Sequence, residues 1–274
     1  MDMALSQLQE KLLDMLKWFD RYCRENDLRY YALGGTLLGA VRHGGFIPWD
    51  DDIDVGMPRP DYERLAELLG TQVHDHYLLE TVYSDDTDYC YPFSKLYDTN
   101  TTMIENVRRK LKRGIYIDVF PLDGAGADRE EGIACYHFVA RKYNLYLARI
   151  AGIRKGRSFY KNAAVRAMGL IPNALWNKKK QRIEIDRACR RYDYDKSRYG
   201  GNLLGNWGDR EIVDMRYFGT PTEQPFEDMR LLCVEDYDSY LTCIYGDWRK
   251  LPPKEKQVSH HDYLFCDLNK PYLE

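Results

Sequence analysis

The spacing of apolar residues predicts that the chain begins with a helix and continues as a mixture of strands and helices. Leu, Met, Phe and Tyr recur every three to four positions from about residue 4 to 25, which is the pattern of an amphipathic helix. Short apolar runs bounded by turn residues then predict strands. These runs are YYAL (30–33), IDVGM (53–57), YLLETV (77–82), CYPFSKLYD (90–98), TTMIE (101–105) and GIYIDVFPL (114–122).

Helix signals alternate with the predicted strands. Thr36 follows a Gly34-Gly35 turn and is predicted to cap a short helix through LLGAVRH. The stretch RPDYERLAELL is predicted to be a helix with Pro60 near its start, where proline is tolerated. A last helix, VEDYDSYLTCIYG, is expected to end at Gly246, because glycine commonly terminates helices.

The segment from about 128 to 195 has a helical pattern throughout and divides the chain. We predict an α/β (α+β) fold class in which residues 1–127 and 196–274 form a mixed sheet flanked by helices. Residues 128–195 are then a basic helical subdomain inserted into this core.

The inserted segment also differs from the rest of the chain in charge. The net charge of the protein is −3, yet residues 141–191 hold fifteen Lys and Arg against two acidic residues. A solvated basic face is one interpretation, and a surface that docks on anionic membrane lipid or on a lipid-linked pyrophosphate substrate is the other. No nucleic-acid motif is recognised, so nucleic acid is not an expected partner.

Cysteine usage and the N-terminal residues indicate a cytoplasmic protein. The seven cysteines are scattered and form no CxxC pair, which suits reduced thiols better than disulfides or a zinc site. The start of the chain lacks the basic-then-apolar pattern of a signal peptide, and no stretch approaches the roughly 18 apolar residues of a membrane span. A peripheral contact at the inner face of the membrane is compatible with this location.

Four aspartates crowd into five positions of the stretch GGFIPWDDDID. Their mutual repulsion is tolerated mainly where a cation offsets it or where the loop is solvated. Because side chains alternate along a strand, Asp52 and Asp54 are predicted to project from one side and Asp51 to point elsewhere. Asp50 shares the side of Asp52 and Asp54 if the extended geometry reaches back to it.

Asp118 stands alone as a charged residue in the apolar strand GIYIDVFPL. An isolated carboxylate in such a strand is costly unless a charged group faces it. Together with Asp52 and Asp54 on a neighbouring strand, it would form an oxygen-rich site suited to Mg²⁺ or Mn²⁺. For Asp118, the alternative is a salt bridge to an arginine or a hydrogen bond at the end of the sheet.

The Gly34-Gly35 turn adds a candidate phosphate site. Glycines let a ligand approach the backbone closely, and the N-terminus of the following helix, near Thr36, offers N–H groups to an anion. A phosphate at a helix start, opposite a carboxylate-bound metal, is the arrangement found in the nucleotidyltransferase fold.

The stretch GGTLLGAVRHGGFIPWDDDIDVGMPRPDYERL resembles the signature of the LicD family. Further matching stretches are YPFSKLYDTNTTMIE, GIYIDVFPLDG and YGDWRKLPPKEKQVSHH, so the resemblance covers about 25–125 and 199–262. Members of this family transfer phosphocholine from CDP-choline onto cell-surface glycans. More distant fukutin-type relatives transfer ribitol phosphate from a CDP donor.

The resemblance implies a nucleotidyltransferase fold, with Asp52 and Asp54 as the metal-binding pair and Asp118 as the third acid. The expected cofactor is Mg²⁺ or Mn²⁺. The expected reaction is attack by a hydroxyl of a teichoic acid or lipopolysaccharide precursor, which we expect to be lipid-linked, on CDP-choline with release of CMP. We also consider Asp118 a candidate acceptor for the proton of that hydroxyl.

Five further residues are candidates for substrate binding. Lys95 lies within a predicted strand, where a lysine is poorly placed unless it faces a carboxylate or a phosphate. Arg42 is a candidate phosphate ligand or an ion-pair partner of the aspartates, and His43 is a weaker candidate because a histidine there commonly caps helix carbonyls. His260 and His261 lie on a tail that is usually solvated, and the family resemblance makes them active-site candidates.

Two other functions are alternatives to phosphocholine transfer. One is a glycosyltransferase that uses DID as a DxD motif, and the other is a non-catalytic scaffold for lipid-linked glycan. Transfer of another phospho-alcohol, such as ribitol phosphate, would keep the mechanism. A choline group is usually bound on aromatic faces, and the aromatic residues close to the metal motifs in sequence are Trp49, Tyr91, Tyr97 and Tyr116.

Overall fold

The N-terminal helix forms where the apolar spacing predicts it. The computed structural model describes residues 6–84, 89–108, 110–152, 158–170, 172, 176–258 and 263–273. Helix α1 spans Gln7–Glu25 and starts with a capping box, in which the Ser6 hydroxyl accepts the Gln9 N–H (3.2 Å) and the Gln9 side chain accepts the Ser6 N–H (2.9 Å). One face of α1 is buried in the main apolar cluster.

The other elements follow in an order that mixes strands and helices. The helices are α2 (Gly34–His43), α3 (Arg59–Leu69), α4 (Arg129–Ile150), α5 (Phe159–Gly169), α6 (Lys178–Cys189) and α7 (Tyr237–Tyr245). The strands are β1 (Tyr31–Ala32), β2 (Asp54–Pro58), β3 (Val73–His74), β4 (Tyr77–Glu80), β5 (Ser94–Asp98), β6 (Thr102–Glu105), β7 (Leu111–Arg113), β8 (Tyr116–Gly126), β9 (Tyr199–Gly201), β10 (Val213–Asp214), β11 (Thr222–Phe226), β12 (Met229–Cys233) and β13 (Tyr263–Asp267).

The largest sheet has the order β1-β2-β8-β5-β4-β3, and β9 and β10 extend it through one end of β8. Strands β2 and β8 run parallel, whereas β8 and β5 run antiparallel. A second sheet has the order β13-β6-β7, and β11 and β12 form a hairpin. This mixed sheet flanked by helices confirms the predicted α/β class.

Two apolar clusters cover the sheet, and Phe120 on β8 packs against both. In the second cluster, Cys135 and Val139 of α4 and Ile185 of α6 pack with Ala125 of β8. The basic helical segment therefore shares its core with the sheet. Its predicted status as a separate subdomain over 128–195 stays a prediction.

The start of α2 differs from the predicted one. The helix begins at Gly34, with Leu33 at the N-cap position, so the prediction that Thr36 caps it is wrong. Because Thr36 lies inside the first turn, its hydroxyl is directed towards β2, where Oγ1 accepts the Asp54 N–H at 2.9 Å. Thr36 thus ties the helix start to the aspartate-bearing strand.

The cysteines are not joined in disulfide bonds, in agreement with their scattered positions in the sequence. All seven cysteines are free, and five of them are buried. In the part of the chain that the structure describes, no helix combines the length and the apolarity that crossing a bilayer requires.

Arg59 is a buried cation that links three elements. At the first residue of α3, it donates to both carboxylate oxygens of Asp123 on β8 (2.7 and 2.6 Å) and to Asp186 on α6 (2.8 Å). The side chains of Asp123 and Asp186 are each 1% exposed. Since buried charges need a partner, this guanidinium holds α6 and the helical segment to the sheet.

Replacing Arg59 with methionine is expected to lower the free energy of unfolding by about 3–5 kcal/mol, because it removes a partner from two buried carboxylates. Arg29→Met is the matched control: Arg29 also pairs with an aspartate, Asp61, at 2.8 Å, but its side chain is 47% exposed. That exposed pair should contribute less than about 1 kcal/mol. Urea unfolding measures both variants, and equal losses would contradict the prediction.

Candidate active site

A cleft of about 380 Å³ opens between the central sheet and the segment 202–211. Residues of β2, β5 and β8 form its sheet wall, and the segment 202–211 and α7 form the opposite wall. The charged residues that line it are Asp51, Asp52, Asp54, Lys95, Glu105, Asp118 and Glu211. Residues predicted from separate stretches of the sequence therefore meet in one cleft.

The sheet register brings three of the predicted residues into one row. Asp54 on β2 is the register partner of Asp118 on β8, and Asp118 is the register partner of Lys95 on β5. Neighbouring strands lie about 4.8 Å apart, and register partners project from the same face. The order across this row is carboxylate, carboxylate, ammonium.

Lys95 is buried among acids and aromatic rings. Its side chain is 2% exposed, and its Nζ lies 3.1 Å from Asp118 Oδ1 and 3.4 Å from Glu105 Oε2. The ammonium also lies over the rings of Tyr91 (4.1 Å to the centroid) and Tyr116 (3.2 Å). Burial alone would lower the pKa of Lys95, but Asp118 and Glu105 outweigh that effect and raise the pKa.

Asp118 experiences opposing influences. Burial raises the pKa of its carboxyl to about 6, although the Lys95 ammonium opposes that rise and the charges of Glu105 and Asp52 add to it. The charged side chain that faces Asp118 is therefore Lys95, and not the arginine that was considered as an alternative. The pair compensates two charges that would each be costly to bury alone.

The aspartate cluster wraps around the start of α2. A Cβ atom added to Gly35 would lie 2.3 Å from Asp50 Oδ2, and one added to Gly34 would lie 3.3 Å from Asp54 Oδ2. The two glycines thus let carboxylates approach the positive end of the helix dipole. Gly34, whose φ is +51°, also lines the cleft.

The prediction that Asp51 points away from the site is wrong. Asp51, Asp52 and Asp54 line the cleft, whereas Asp50 is not among the lining residues. The alternation rule fails because β2 begins only at Asp54, so residues 51–53 do not have strand geometry.

Two of the other predicted residues, Arg42 and His43, do not line the cleft. Both lie at the end of α2. Arg42 Nη1 donates to the Trp248 carbonyl (2.9 Å) and its Nε to His43 Nε2 (3.0 Å), while burial lowers the pKa of His43. His260 and His261 lie outside the described residues.

The aromatic residues near the metal motifs divide between the cleft and the core. Tyr91 and Tyr116 line the cleft, and Trp207 joins them from the opposite wall. Tyr97 is buried and packs edge-on against Tyr116 (5.9 Å between centroids), and Trp49 contacts His43 (6.4 Å). Two of the four aromatic candidates are therefore in reach of a cleft ligand.

Sequence reasoning missed the acids Glu105 and Glu211. Glu105 accepts a hydrogen bond from the Tyr91 hydroxyl and faces Lys95. Glu211, at the end of the 3-10 helix Gly208–Glu211, is 5% exposed and its Oε1 accepts the Trp207 N–H at 3.2 Å. Burial raises the pKa of Glu211 to about 7. Its only sequence signal is the glycine-rich context GGNLLGNWGDRE.

The carboxylates are ligands of the type that a hard cation prefers, but their side chains do not converge on one point. Asp52, Asp54 and Asp118 offer only oxygen atoms, which suit Mg²⁺ or Mn²⁺. Among the described residues, no three His, Cys, Asp or Glu side chains already surround one point as a metal-ligand shell would. A bound cation would therefore have to draw these side chains together, against the pull of Lys95 on Asp118.

In a comparison with known proteins, residues 27–137 match the model of a family that is described as LicD/FKTN/FKRP, nucleotidyltransferase domain. The chain is also similar to the lipopolysaccharide cholinephosphotransferase LicD of Haemophilus influenzae. The two are 28% identical over 263 residues, which cover 94% of this chain and 96% of that protein.

Shorter similarities extend to eukaryotic proteins. The ribitol 5-phosphate transferase FKRP of Homo sapiens is 47% identical over 45 residues, which cover 16% of this chain and 9% of that protein. The mannosyltransferase regulator 4 of Saccharomyces cerevisiae is 24% identical over 138 residues, which cover 47% of this chain and 11% of that protein.

Replacing Glu211 with glutamine is expected to stabilise the protein at alkaline pH. Because the pKa of Glu211 is raised from 4.5 to about 7, the folded state holds its proton more tightly than the unfolded chain. The stabilisation that follows from this tighter proton binding is fully present below the pKa of the unfolded chain and is lost as the pH rises through 7. The non-titrating glutamine avoids the loss, so the variant should exceed the wild type by about 3 kcal/mol at pH 8.

Urea unfolding between pH 4.5 and 8 measures this difference. Asp214→Asn provides a control of opposite sign, because the Arg216 guanidinium lowers the pKa of Asp214 to about 2 and its contribution is present at alkaline pH. The control should therefore be less stable than the wild type at pH 8. A Glu211→Gln curve parallel to that of the wild type would show that the carboxyl is not buried as described.

Proposed function

Because the chain carries a nucleotidyltransferase domain of the LicD/FKTN/FKRP family, we propose that it transfers phosphocholine from CDP-choline to a hydroxyl of a cell-surface glycan precursor, with release of CMP. The observation that carries this proposal is the similarity to a lipopolysaccharide cholinephosphotransferase over 94% of the chain. That similarity supports transfer of a phospho-alcohol to a glycan. The choice of CDP-choline and of a teichoic acid or lipopolysaccharide acceptor is the finer part of the proposal.

The carboxylates on the sheet wall would hold the cation. We assign Asp52, Asp54 and Asp118 as ligands of Mg²⁺ or Mn²⁺, since all three line the cleft and Asp54 and Asp118 are register partners. When bound, a divalent cation would neutralise charge that develops on the phosphoryl oxygens. Lys95, next to Asp118 in the row, compensates part of the negative charge and orients Asp118.

The start of α2 would hold part of the diphosphate. Its first N–H groups, at Gly34, Gly35 and Thr36, have no partner within the helix and carry the positive end of the helix dipole. Gly34 borders the cleft, which makes this helix end accessible to a ligand there. We retain Arg42, His43, His260 and His261 as proposed substrate ligands. Arg42 would have to exchange its bond to the Trp248 carbonyl for one to phosphate.

The aromatic faces in the cleft favour a choline donor. A quaternary ammonium binds to aromatic faces, with about 0.5–2 kcal/mol per contact, and cannot accept or donate an ordinary hydrogen bond. Trp207 lines the cleft and is 45% exposed, so it offers such a face. Tyr91 and Tyr116 also line the cleft, and the Lys95 ammonium already lies over one face of each ring. The similarity of 45 residues to a ribitol 5-phosphate transferase favours CDP-ribitol as the second candidate donor.

Mg²⁺-dependent binding of CDP-choline should be lost in Asp52→Asn/Asp54→Asn. Since partners of metal ligands alone change affinity by about 10–100-fold, loss of two ligands should weaken nucleotide binding by about 100-fold or more. Titration calorimetry of CDP-choline and CDP-ribitol, with and without Mg²⁺, measures this effect. Asp228→Asn, which removes an exposed partner of Lys17 and changes no residue that lines the cleft, should bind as the wild type does.

A preference for CDP-ribitol would keep the mechanism and change the product. Absence of binding of either nucleotide to the wild type, with and without Mg²⁺, would contradict the transferase proposal. The glycosyltransferase and scaffold alternatives would then be favoured.

We further propose that the protein acts at the cytoplasmic face of the membrane, where α5 contacts anionic lipid. Phe159 and Tyr160, at the start of α5, are 76% and 83% exposed, and Leu170, just after its end, is 85% exposed. Lys161 and Arg166 lie on the same helix. Exposed aromatic residues beside basic ones are typical of helices that lie in a membrane interface, and a lipid-linked acceptor would be presented there.

Phe159→Ser/Tyr160→Ser should reduce co-sedimentation with vesicles that contain anionic lipid, because the aromatic anchors are removed while the basic residues remain. Neutral vesicles should bind the wild type weakly, since the basic surface then lacks its partner. Leu68→Ser is the control, as Leu68 is 41% exposed on α3, outside the basic segment. Equal pelleting with neutral and anionic vesicles, or equal losses in the two variants, would contradict the membrane proposal.

A further inference from the structure

Among the described residues, the wall of the cleft formed by the segment 202–211 and α7 carries one buried carboxylate, that of Glu211. Glu211 is 5% exposed. It lines the same cleft as Asp54 and Asp118, although it lies more than ninety positions after Asp118 in the sequence. The Trp207 N–H donates to its Oε1 at 3.2 Å. The carboxylate is therefore held in a defined position inside the cleft.

Two glycines make room for Glu211. A Cβ atom added to Gly205 would lie 2.0 Å from Glu211 Oε1, and one added to Gly201 would lie 2.1 Å from the Glu211 carbonyl oxygen. Gly201 also has a φ of +147°, a conformation that other residues rarely adopt. Any side chain at either position would displace Glu211, so this glycine-rich segment is shaped around it.

Glu211 differs in its charge partners from Asp118 and Asp123, the two acids of β8. Asp118 faces Lys95, and Asp123 faces Arg59, but none of the described Lys and Arg residues forms an ion pair with Glu211. The titratable groups that face it are Tyr136 of α4 and Tyr240 and Tyr245 of α7. Both tyrosines of α7 also experience the charge of Asp54, so they lie near the two carboxylates together.

A buried carboxylate without a cation is costly, and such groups are concentrated at functional sites. Burial raises the pKa of Glu211 to about 7, which is the range in which a general base works near neutral pH. Asp118 is less available for proton uptake, because the ammonium of Lys95 lies 3.1 Å from one of its oxygens and the carboxylate is assigned to the cation.

We propose that Glu211 is a catalytic residue that accepts the proton of the attacking hydroxyl. This inference rests on the proposed function. The hydroxyl oxygen forms a bond to the phosphorus that carries the alcohol, and the bond from that phosphorus to the bridging oxygen of the diphosphate breaks. The electron pair of the broken bond stays on the phosphate of the departing CMP, and the hydroxyl proton goes to the Glu211 carboxylate. Glu211 returns the proton to water after the products leave.

Glu211→Gln tests the assignment, because glutamine keeps the acceptor for the Trp207 N–H and cannot take up a proton. Release of CMP from CDP-choline is followed with Mg²⁺ and a panel of acceptors that includes lipopolysaccharide, teichoic acid and buffer alone, in which water is the acceptor. The condition with the fastest wild-type rate is used for all variants. We expect kcat to fall by about 100-fold or more, with CDP-choline affinity within about twofold of the wild type.

The pH profile provides a second readout. The wild-type kcat should rise with pH as Glu211 loses its proton, and this acid limb should be absent from the residual activity of Glu211→Gln. Gly205→Ala should lower kcat in the same way, since the added methyl group displaces the carboxylate. Asp209→Asn is the control on the same 3-10 helix: Asp209 pairs with His137 (2.9 Å), is 48% exposed and does not line the cleft. It should leave kcat unchanged.

A Glu211→Gln variant with kcat within about threefold of the wild type and an unchanged pH profile would overturn the role of Glu211 and leave the proposed function intact. Failure of the wild type to bind CDP-choline or CDP-ribitol would instead overturn the proposed function, and the role of Glu211 with it. Loss of both CDP-choline binding and transfer in Glu211→Gln would also overturn the role as proton acceptor, because a base should be dispensable for donor binding.

Discussion

The ion pair between Lys95 and Asp118 is the interaction on which the cleft depends. The Lys95 side chain is 2% exposed and the Asp118 side chain is 15% exposed, so each charge would be costly in the sheet without its partner. Pairing them fixes the register of β5 against β8, and the parallel partner β2 then places Asp54 beside Asp118. Glu105 and the rings of Tyr91 and Tyr116 complete the surroundings of the ammonium. One buried cation thus allows several acids to share a single wall.

The acids on the two walls of the cleft have different surroundings. This difference suggests that the two walls have different roles in catalysis. On the sheet wall, the acids lie beside Lys95 and the positive end of α2, and their oxygen atoms suit a divalent cation. On the opposite wall, Glu211 accepts the Trp207 N–H and pairs with none of the described Lys and Arg residues, and burial raises its pKa to about 7. Electrostatic stabilisation and proton uptake are separate requirements of phosphoryl transfer, and separate walls can meet them.

The sequence allowed prediction of features that depend on neighbouring residues alone, such as a periodic apolar pattern or an isolated charge in an apolar strand. The helix RPDYERLAELL has the predicted bounds, and Asp118 and Lys95 were recognisable because a single charge in an apolar strand needs a partner. Asp51 and Thr36 were misjudged because the true starts of β2 and α2 decide where their side chains point. Arg59 and Glu211 escaped notice because their surroundings come from distant segments: Arg59 contacts residues 64 and 127 positions away. No local pattern records such contacts.

A double-mutant cycle on Lys95 and Asp118 is the most direct test of the buried pair. The free energy of unfolding is measured in urea at pH 7.5 for Lys95→Met, Asp118→Asn and the double variant. We expect each single change to cost about 3–5 kcal/mol, because it leaves the other group buried with its main partner removed. The double variant should then lose clearly less than the sum, with a coupling of about 1–3 kcal/mol. Losses that add within about 0.5 kcal/mol would mean that the two groups do not depend on each other, and the organisation of the cleft around them would be contradicted.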